Sequence, residues 1–177
     1  DRLAMTALMA DGLCLEAGRP GLAQADGLEL SRQGKSYTAD TLEELRRRYP
    51  EDELWLLMGT DMFLTLQNWR EPEKITALAG IAAFARRESD AGGLLRTQGD
   101  HLRERFGARV AVVELPQIME LSSTQVRAML EKDRAAARER LWCQVYGYIL
   151  LHGLYGGGVD LKHLDDDDLR CASLSMV

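Results

Sequence analysis

The sequence has no apolar run of the about 18 residues that a membrane-spanning helix needs, and we expect no signal peptide. Basic residues are also outnumbered, because 22 Lys and Arg stand against 28 Asp and Glu and give a formal net charge of −6. An acidic chain has no general attraction for nucleic acid or an anionic membrane, so any site for an anion must be built locally. We therefore expect neither nucleic acid nor a membrane among its partners.

Cysteine and histidine are scarce, with three residues of each. Cys14, Cys143 and Cys171 are far apart and odd in number, which fits no metal spacing or disulfide framework and predicts reduced thiols in a cytoplasmic protein. His152 and His163 have no partner at ligand spacing, so the sequence predicts no metal site made by protein side chains. The serines show no nucleophile-elbow context, which leaves a hydrolase triad unsupported.

Both ends of the sequence lack the signals of a natural terminus. Asp1 stands where an initiator Met is expected, directly before a helical pattern at residues 2–10, and the apolar residues 174–177 end without a helix stop. We therefore expect the 177 residues to be a fragment of a longer protein.

The apolar pattern predicts one α/β domain. Three continuous apolar runs, which predict strands covered on both faces as in a parallel sheet, are residues 54–58, 81–85 and 110–113. Helical patterns occur at residues 2–10, 38–49, 72–78 and 94–106, and almost throughout 123–151. Alternation of strand and helix predicts a Rossmann-like, doubly wound parallel sheet with right-handed crossovers. A further strand is predicted at 27–31 and a Gly- and Ala-rich loop at 12–24.

Ligands of such a sheet bind beyond the carboxyl ends of the strands. Gly59 and Asp61 follow the first predicted strand. A glycine there lets a nucleoside approach the backbone, and the aspartate can accept hydrogen bonds from a ribose diol. A tight turn with the aspartate as a helix N-cap is the alternative interpretation.

A second candidate site is the start of the helix after residue 121. Ser122, Ser123 and Thr124 provide three hydroxyls at a positive helix end, and Arg127 follows one turn later on the same side. Hydroxyls, free amides and a guanidinium together can bind phosphate. Ordinary N-capping by serine or threonine is the alternative.

A third candidate pairs residues 36–38 (Ser-Tyr-Thr) with Trp69. Trp69 stands in a polar stretch, which is a costly place for a large apolar ring unless the ring packs on something. An aromatic ligand ring is one partner, and the edge of the core is the other.

Taken in order, these segments resemble those of bacterial nicotinate-nucleotide adenylyltransferases. The matching segments are residues 29–42, which contain Ser-Tyr-Thr-x-Asp-Thr-Leu, then 59–61, 68–75, 85–87 (Ala-Arg-Arg), 121–127 and 145–155. The similarity covers about residues 1 to 155, and its specificity comes from the ordered conjunction of motifs. It implies the nucleotidyltransferase-superfamily form of the Rossmann-like fold.

The resemblance also implies a reaction, in which the adenylyl group of ATP passes to nicotinate mononucleotide and gives deamido-NAD and pyrophosphate during NAD biosynthesis. It implies that Tyr37 and Thr38 hold the nicotinate end and that Trp69 stacks on the pyridine ring. Gly59 and Asp61 would contact the adenosine, with Asp61 on its ribose.

The resemblance implies that the ATP phosphates are held by Ser122, Ser123, Thr124 and Arg127. Ser123 and Arg127 would stabilise the transition state. The substrate phosphate attacks the α-phosphorus in line, so the protein mainly positions groups and stabilises charge. Mg²⁺ is expected to enter with ATP, held by phosphate and water more than by protein carboxylates.

The sequence departs from the family in three places. Family members begin with a strand and a Gly-rich loop carrying a His-x-Gly-His motif, which is missing here, so we expect the fragment alone to have little activity. Residues 141–143 stand where family chains often carry Pro. Residues 157–177 extend past the usual family end and resemble the lead-in to an HD-type phosphohydrolase, which predicts domains at 1–156 and 157–177. The four aspartates at 165–168 predict a solvated helix start.

Two alternatives stay open at this point. One is a sibling adenylyltransferase acting on another phosphate, such as phosphopantetheine, against which Tyr37 and Trp69 argue. The other is a catalytically inactive nucleotide-binding domain attached to a hydrolase. The oligomeric state is also open, a homo-oligomer included.

Overall fold

A computed structural model of the chain describes residues 1–85, 93–114, 121–156 and 164–175. Arg86, Arg87 and His163 lie outside the described residues. The chain divides into two compact units, one formed by residues 28–120 and the other by residues 1–27 with 121–177. We call them the sheet unit and the helical unit.

The described α-helices are α1 (Arg2–Glu16), α2 (Thr38–Arg48), α3 (Thr60–Phe63), α4 (Pro72–Leu78), α5 (Gly93–Phe106), α6 (Ser123–Lys132), α7 (Arg134–Arg140), α8 (Cys143–Leu151) and α9 (Asp166–Leu174). The strands are β1 (Trp55–Gly59), β2 (Gly80–Phe84) and β3 (Val110–Val113). Within the described residues, no helix is both long enough and apolar enough to cross a membrane.

The three strands of the sheet unit form a parallel sheet in chain order, with β2 in the middle. The register pairs Leu56 with Ile81 and Ile81 with Val110. The core lies on the sheet face that α2, α4 and α5 cover, and its buried side chains include Met58, Ile81, Ala83, Leu42, Ile75, Leu95 and Leu102. The predicted strands and the parallel α/β sheet are therefore confirmed, with boundaries within a residue or two.

The opposite sheet face is more open, and the prediction that both faces are covered is wrong for β1. Trp55 is 41% exposed and Leu57 is 68% exposed. The buried side chains of the connecting helices α4 and α5 join the core on the other face, so they do not cover these two residues. The Trp55 ring instead packs over Gly80, where a Cβ would lie 2.7 Å from the ring.

Two local predictions in the N-terminal third are also wrong. Residues 28–31 form a short 3₁₀ helix, not a strand, and the Ser31 hydroxyl donates to the Leu28 carbonyl at 2.8 Å. Helix α1 continues to Glu16, so residues 12–16 are not a loop. Gly12 lies within this helix, and its missing side chain makes room for the Trp142 ring, which a Cβ would approach to 2.8 Å.

The helical unit breaks the long helix that the sequence predicts after residue 123. Asp133 ends α6 and caps α7, since its carboxylate accepts a hydrogen bond from the Ala136 amide at 3.1 Å. A second break at residues 141–142 separates α7 from α8. The core of this unit contains the buried side chains Leu130, Ala137, Tyr146, Ile149, Leu150 and Cys171.

Helices α8 and α9 cross closely because α8 has a glycine at the contact. A Cβ on Gly147 would lie 2.1 Å from the Cys171 carbonyl oxygen. One turn earlier, Cys143 forms a disulfide with Cys171, and their Cα atoms are 4.8 Å apart. The prediction of reduced thiols is wrong for this pair, because packing brings together two cysteines that lie 28 residues apart in the sequence. Cys14 is free.

The aspartate run is not simply a solvated helix start. Asp165 caps α9 by accepting from the Asp168 amide at 2.7 Å, but Asp168 itself is only 4% exposed. The Asp168 carboxylate accepts hydrogen bonds from the Tyr146 hydroxyl at 2.9 Å and from Arg138 at 3.0 Å. Burial, followed by the hydrogen bond to Asp168, raises the pKa of Tyr146. Helix α9 thus packs on α8, and a second domain beginning at residue 157 stays a prediction.

Candidate active site

The sheet unit contains a cavity of about 260 Å³ at the start of α2. Its lining residues are Ser36, Tyr37, Thr38, Met62, Trp69, Arg70 and Ile75. Tyr37, Thr38 and Trp69, which the resemblance assigns to the nicotinate end, therefore line one space. The two aromatic rings and the positive end of α2 give this space the chemistry for a flat, electron-poor or anionic ring.

A strained turn holds the indole of this cavity. The Trp69 ring is half-buried against the core, and its Nε1 donates to the Thr65 hydroxyl at 3.3 Å. Two residues later, Glu71 has a φ of 55°, in the left-handed region that residues other than glycine rarely occupy. Pro72 then begins α4. Strained backbone of this kind tends to occur at functional sites.

An ion pair connects α2 and α4, the two helices that contribute Thr38 and Ile75 to the cavity lining. Lys74 on α4 donates to Glu43 on α2 at 2.8 Å. The hydrogen bond from Lys74, followed by its positive charge, lowers the pKa of Glu43 below its ordinary value of 4.5. The lysine pKa is raised by the same bond. Glu43 is exposed and Lys74 is partly exposed, so water screens the pair and we expect it to contribute little to stability.

Lys74→Met is expected to lower the melting temperature slightly at neutral pH, and the difference should vanish in acid. Because the folded-state pKa of Glu43 is lowered, the pair contributes stability above the ordinary value of 4.5 and loses it as the pH falls through the lowered pKa. Melting curves of both proteins at neutral and acidic pH measure this, with Glu43→Gln as the matched variant. A difference that persists unchanged in acid would contradict the ion-pair account.

Gly59 and Asp61 lie at the carboxyl end of β1, as predicted. Gly59 is the N-cap of α3 in an extended conformation, and Asp61 is an exposed residue of the first turn. Met62, which follows Asp61, lines the Tyr37 cavity. The end of β1 and this cavity are thus neighbours within the sheet unit. Contact of Gly59 and Asp61 with adenosine stays a prediction.

The predicted phosphate site at the start of α6 contains a complete capping box. The Ser122 hydroxyl accepts from the Gln125 amide at 3.2 Å, and the Gln125 side chain accepts from the Ser122 amide at 2.7 Å. The Ser122 hydroxyl also donates to Gln125 Oε1 at 2.8 Å. Its predicted role in phosphate binding would therefore require exchange of a bond already made.

The next two residues are differently placed. Ser123 and Thr124 are exposed, and their hydroxyls make no hydrogen bond within the described part of the chain. Arg127 follows one turn later, with its guanidinium carbon 5.4 Å from the centre of the Tyr155 ring. Tyr155 also has a left-handed φ of 55°. The available donors are thus Ser123, Thr124 and Arg127, and Tyr155 is a neighbour that sequence reasoning assigned no role.

A larger cavity of about 580 Å³ borders this helix start within the helical unit. Its walls are mostly apolar side chains of α1, α6 and α8, and its lining residues are Arg2, Met5, Thr6, Met9, Leu121, Ser122, Ser123, Val126, Arg127, Leu130, Leu141, Val145, Ile149 and Tyr155. Ser123 and Arg127 belong to its polar lining. The two predicted catalytic residues therefore face a space large enough for a ligand.

Two serine variants test which hydroxyl caps α6. Ser122→Ala is expected to lower the free energy of unfolding by about 1 kcal/mol, because it removes the cap. Ser123→Ala removes an unbonded exposed hydroxyl and should change stability by less than about 0.5 kcal/mol. Urea unfolding measures both. A larger loss for Ser123→Ala than for Ser122→Ala would contradict the assignment of Ser122 as the cap.

His152 does not belong to a metal site within the described ranges. The His152 ring stacks on Tyr148 with centroids 4.0 Å apart. No group of three or more His, Cys, Asp or Glu side chains within the described ranges could hold a metal ion.

Comparison with known proteins supports the fold and the family. No protein-family model matches the chain. A Plasmodium falciparum nicotinic acid mononucleotide adenylyltransferase, solved in complex with APC, matches with a TM-score of 0.58 at 18% identity, over 73% of this chain and 63% of that one. This chain thus has the Rossmann-like α/β fold of that protein.

Curated relatives are closer in sequence, and each carries the name "Probable nicotinate-nucleotide adenylyltransferase". The Chlorobium luteolum relative is 34% identical over 83% of this chain and 70% of its own length. The Lachnoclostridium phytofermentans relative is 34% identical over 72% of this chain and 62% of its own. The Thermus thermophilus relative is 38% identical over 72% and 61%. This chain belongs to the nicotinate-nucleotide adenylyltransferase family.

The chain spans only part of the length of these relatives, 62% of the Lachnoclostridium protein and 61% of the Thermus protein. The family assignment therefore applies to the part of the relatives that this chain matches. The activity of the whole protein is inferred below from the residues that line the two cavities.

Proposed function

We propose that the protein transfers the adenylyl group of ATP to nicotinate mononucleotide, releasing pyrophosphate and giving deamido-NAD for NAD biosynthesis. The observation that carries the proposal is the cavity lined by Tyr37, Thr38 and Trp69 in a member of this family. Two aromatic walls suit a pyridine ring, and the positive end of α2 favours a ring substituent with negative charge.

In this reaction the mononucleotide phosphate oxygen attacks the α-phosphorus of ATP. A new P–O bond forms while the bond from the α-phosphorus to the bridging oxygen breaks, and pyrophosphate leaves with that oxygen. The attacking group is already an anion, so no protein nucleophile or general base is needed. The chain must instead align the two substrates and stabilise the charge of the transferred group.

Hydrogen-bond donors at the start of α6 suit the stabilisation of phosphate charge. The hydroxyls of Ser123 and Thr124 and the guanidinium of Arg127 project from the start of α6, whose first turn contains no acidic residue. Together with the helix end they would bind phosphate oxygens. Gly59 and Asp61 would hold the adenosine, with the Asp61 carboxylate accepting from the ribose hydroxyls.

Mg²⁺ fits this arrangement as an ion that arrives on the triphosphate. The described residues contain no cluster of three carboxylate, cysteine or histidine ligands, and the α6 start offers hydroxyl and cationic donors that suit phosphate. Phosphate oxygens and water would hold the ion, which lowers the negative charge that the attacking phosphate meets. Nicotinate mononucleotide, ATP and Mg²⁺ are the proposed ligands.

Two expectations from the sequence accompany the proposal. One places the protein in the cytoplasm, where pyridine nucleotides are made. The other takes residues 157–177 as the lead-in to an HD-type phosphohydrolase domain. Sequencing the gene beyond both ends of this chain tests the second directly.

The substrate class is tested by comparing how tightly two candidate substrates bind. Nicotinate mononucleotide and phosphopantetheine are titrated in turn into the complete gene product, with binding followed by calorimetry in the presence of a non-hydrolysable ATP analogue and Mg²⁺. The proposal expects binding of the nicotinate compound with a dissociation constant at least about tenfold lower. Tighter binding of phosphopantetheine would assign the protein to the sibling activity.

A further inference from the structure

Among the described residues that line the Tyr37 cavity, Arg70 alone has a charged side chain. The other lining residues are polar but neutral or apolar. A guanidinium in a small aromatic cavity can select among ligands, because its positive charge and its forked donors favour a ligand that brings an anion to it.

The Arg70 guanidinium is held by stacking. Its Cζ lies 4.3 Å from the centre of the Tyr37 ring. Its Nε lies 3.5 Å from Glu71 Oε2, in the strained turn described above. The two terminal amino groups make no hydrogen bond within the described part of the chain. The guanidinium is therefore anchored over the Tyr37 ring and beside Glu71, and its two terminal amino groups remain available to a ligand.

Forked guanidinium donors match the two oxygens of a carboxylate. A carboxamide matches them poorly, because its NH₂ group would meet N–H donors of the arginine and leave them unpaired. We infer that Arg70 is a specificity-determining residue that binds the ring carboxylate of nicotinate mononucleotide and rejects the corresponding carboxamide. The inference rests on the proposed function of the same cavity.

The anion at Arg70 has two sources in a mononucleotide, the ring carboxylate and the 5′-phosphate. Nicotinamide mononucleotide separates them, since it keeps the phosphate and lacks the carboxylate. Loss of the arginine should weaken binding of both compounds if the phosphate is its partner. It should weaken binding of the nicotinate compound alone if the carboxylate is.

The variants are Arg70→Met, which keeps most of the apolar stem, and Arg70→Lys, which keeps the charge without the planar fork. The matched control is Arg109→Met. Arg109 also lies over an aromatic ring of the sheet unit, at 5.5 Å from the centre of Trp55, but it does not line the cavity. Melting curves confirm that each variant is folded, and the exposure of Arg70 makes this the expected result.

Dissociation constants for both mononucleotides are measured by calorimetry with the complete gene product and each variant. Arg70→Met should raise the dissociation constant of nicotinate mononucleotide by about 10- to 100-fold, which corresponds to the loss of a forked charge-assisted pair. The dissociation constant of nicotinamide mononucleotide should stay within about twofold of the wild-type value. For nicotinate mononucleotide, the dissociation constant of Arg70→Lys should lie between those of the wild type and Arg70→Met. Arg109→Met should bind both compounds as the wild type does.

Equal weakening of both compounds would overturn the inference in favour of phosphate binding. Retention of the nicotinate preference by Arg70→Met would overturn it while leaving the proposed function intact. If the wild-type protein bound neither mononucleotide, the proposed function itself would fail, and the inference with it.

Discussion

Trp69→Ala is expected to raise KM for nicotinate mononucleotide by about 30-fold, while KM for ATP changes by less than about threefold. The Trp69 ring lines the sheet-unit cavity and is supported by the core and by Thr65. Removing it takes away the stacking surface for the pyridine ring. ATP has no predicted contact with this ring. Initial rates with each substrate varied in turn, using the complete gene product, measure the two constants.

Two variants serve as controls for this result. Trp69→Phe keeps an aromatic surface and should recover most of the affinity. Trp55→Ala removes a 41% exposed tryptophan of the same unit that does not line the cavity, and it should leave both constants unchanged. A larger rise for ATP than for the mononucleotide in Trp69→Ala would refute the stacking role.

Gly147→Ala is expected to lower the free energy of unfolding by at least about 3 kcal/mol. The added methyl would lie 2.1 Å from the Cys171 carbonyl oxygen, a backbone atom that cannot move without shifting α9. The Cys143–Cys171 disulfide prevents a simple separation of the two helices at this point. Urea unfolding of the oxidised protein measures the loss.

The matched control is Gly99→Ala, another buried glycine within a helix. The nearest atoms to a Cβ there belong to the side chains of Val110 and Arg103, at 3.3 and 3.4 Å. The gain in helix propensity and the tighter contact should nearly cancel, so we expect a change within about 1 kcal/mol. If Gly147→Ala were as mild as Gly99→Ala, the close helix crossing described here would be wrong.

The sheet could be predicted from the sequence because its signals are local. Each strand is a short apolar run bounded by turn residues, and α2 has acidic residues early and arginines late. The break at Asp133 was not predictable in the same way, because a polar residue on a helical pattern usually continues the helix. Only the cap on Ala136 shows that the helix stops there.

The disulfide and the burial of Asp168 depend on contacts between elements that are distant in sequence. A spacing of 28 residues between Cys143 and Cys171 carries no signal, and four adjacent aspartates look alike until one of them meets Tyr146. The same limit applies to the short helix at residues 28–31, whose alternation predicted a strand but which pairs with none of the described strands.

Some residues of the candidate site could be predicted from the sequence, and one could not. Tyr37, Thr38 and Trp69 were singled out by their residue types and order, and the structure places them around one cavity. No signal in the sequence distinguishes Arg70, because an arginine in a polar stretch is ordinary. The role proposed for it depends on its position over the Tyr37 ring, which only the folded chain shows.

The central claim is the reaction itself, and its most direct test is release of pyrophosphate by the complete gene product with ATP and Mg²⁺. Nicotinate, nicotinamide and phosphopantetheine substrates are compared under identical conditions, and the product is identified by mass. The account predicts deamido-NAD from nicotinate mononucleotide, with a kcat/KM at least about tenfold above that for the nicotinamide compound. Absence of pyrophosphate with all three, or equal kcat/KM for the two pyridine mononucleotides, would contradict it.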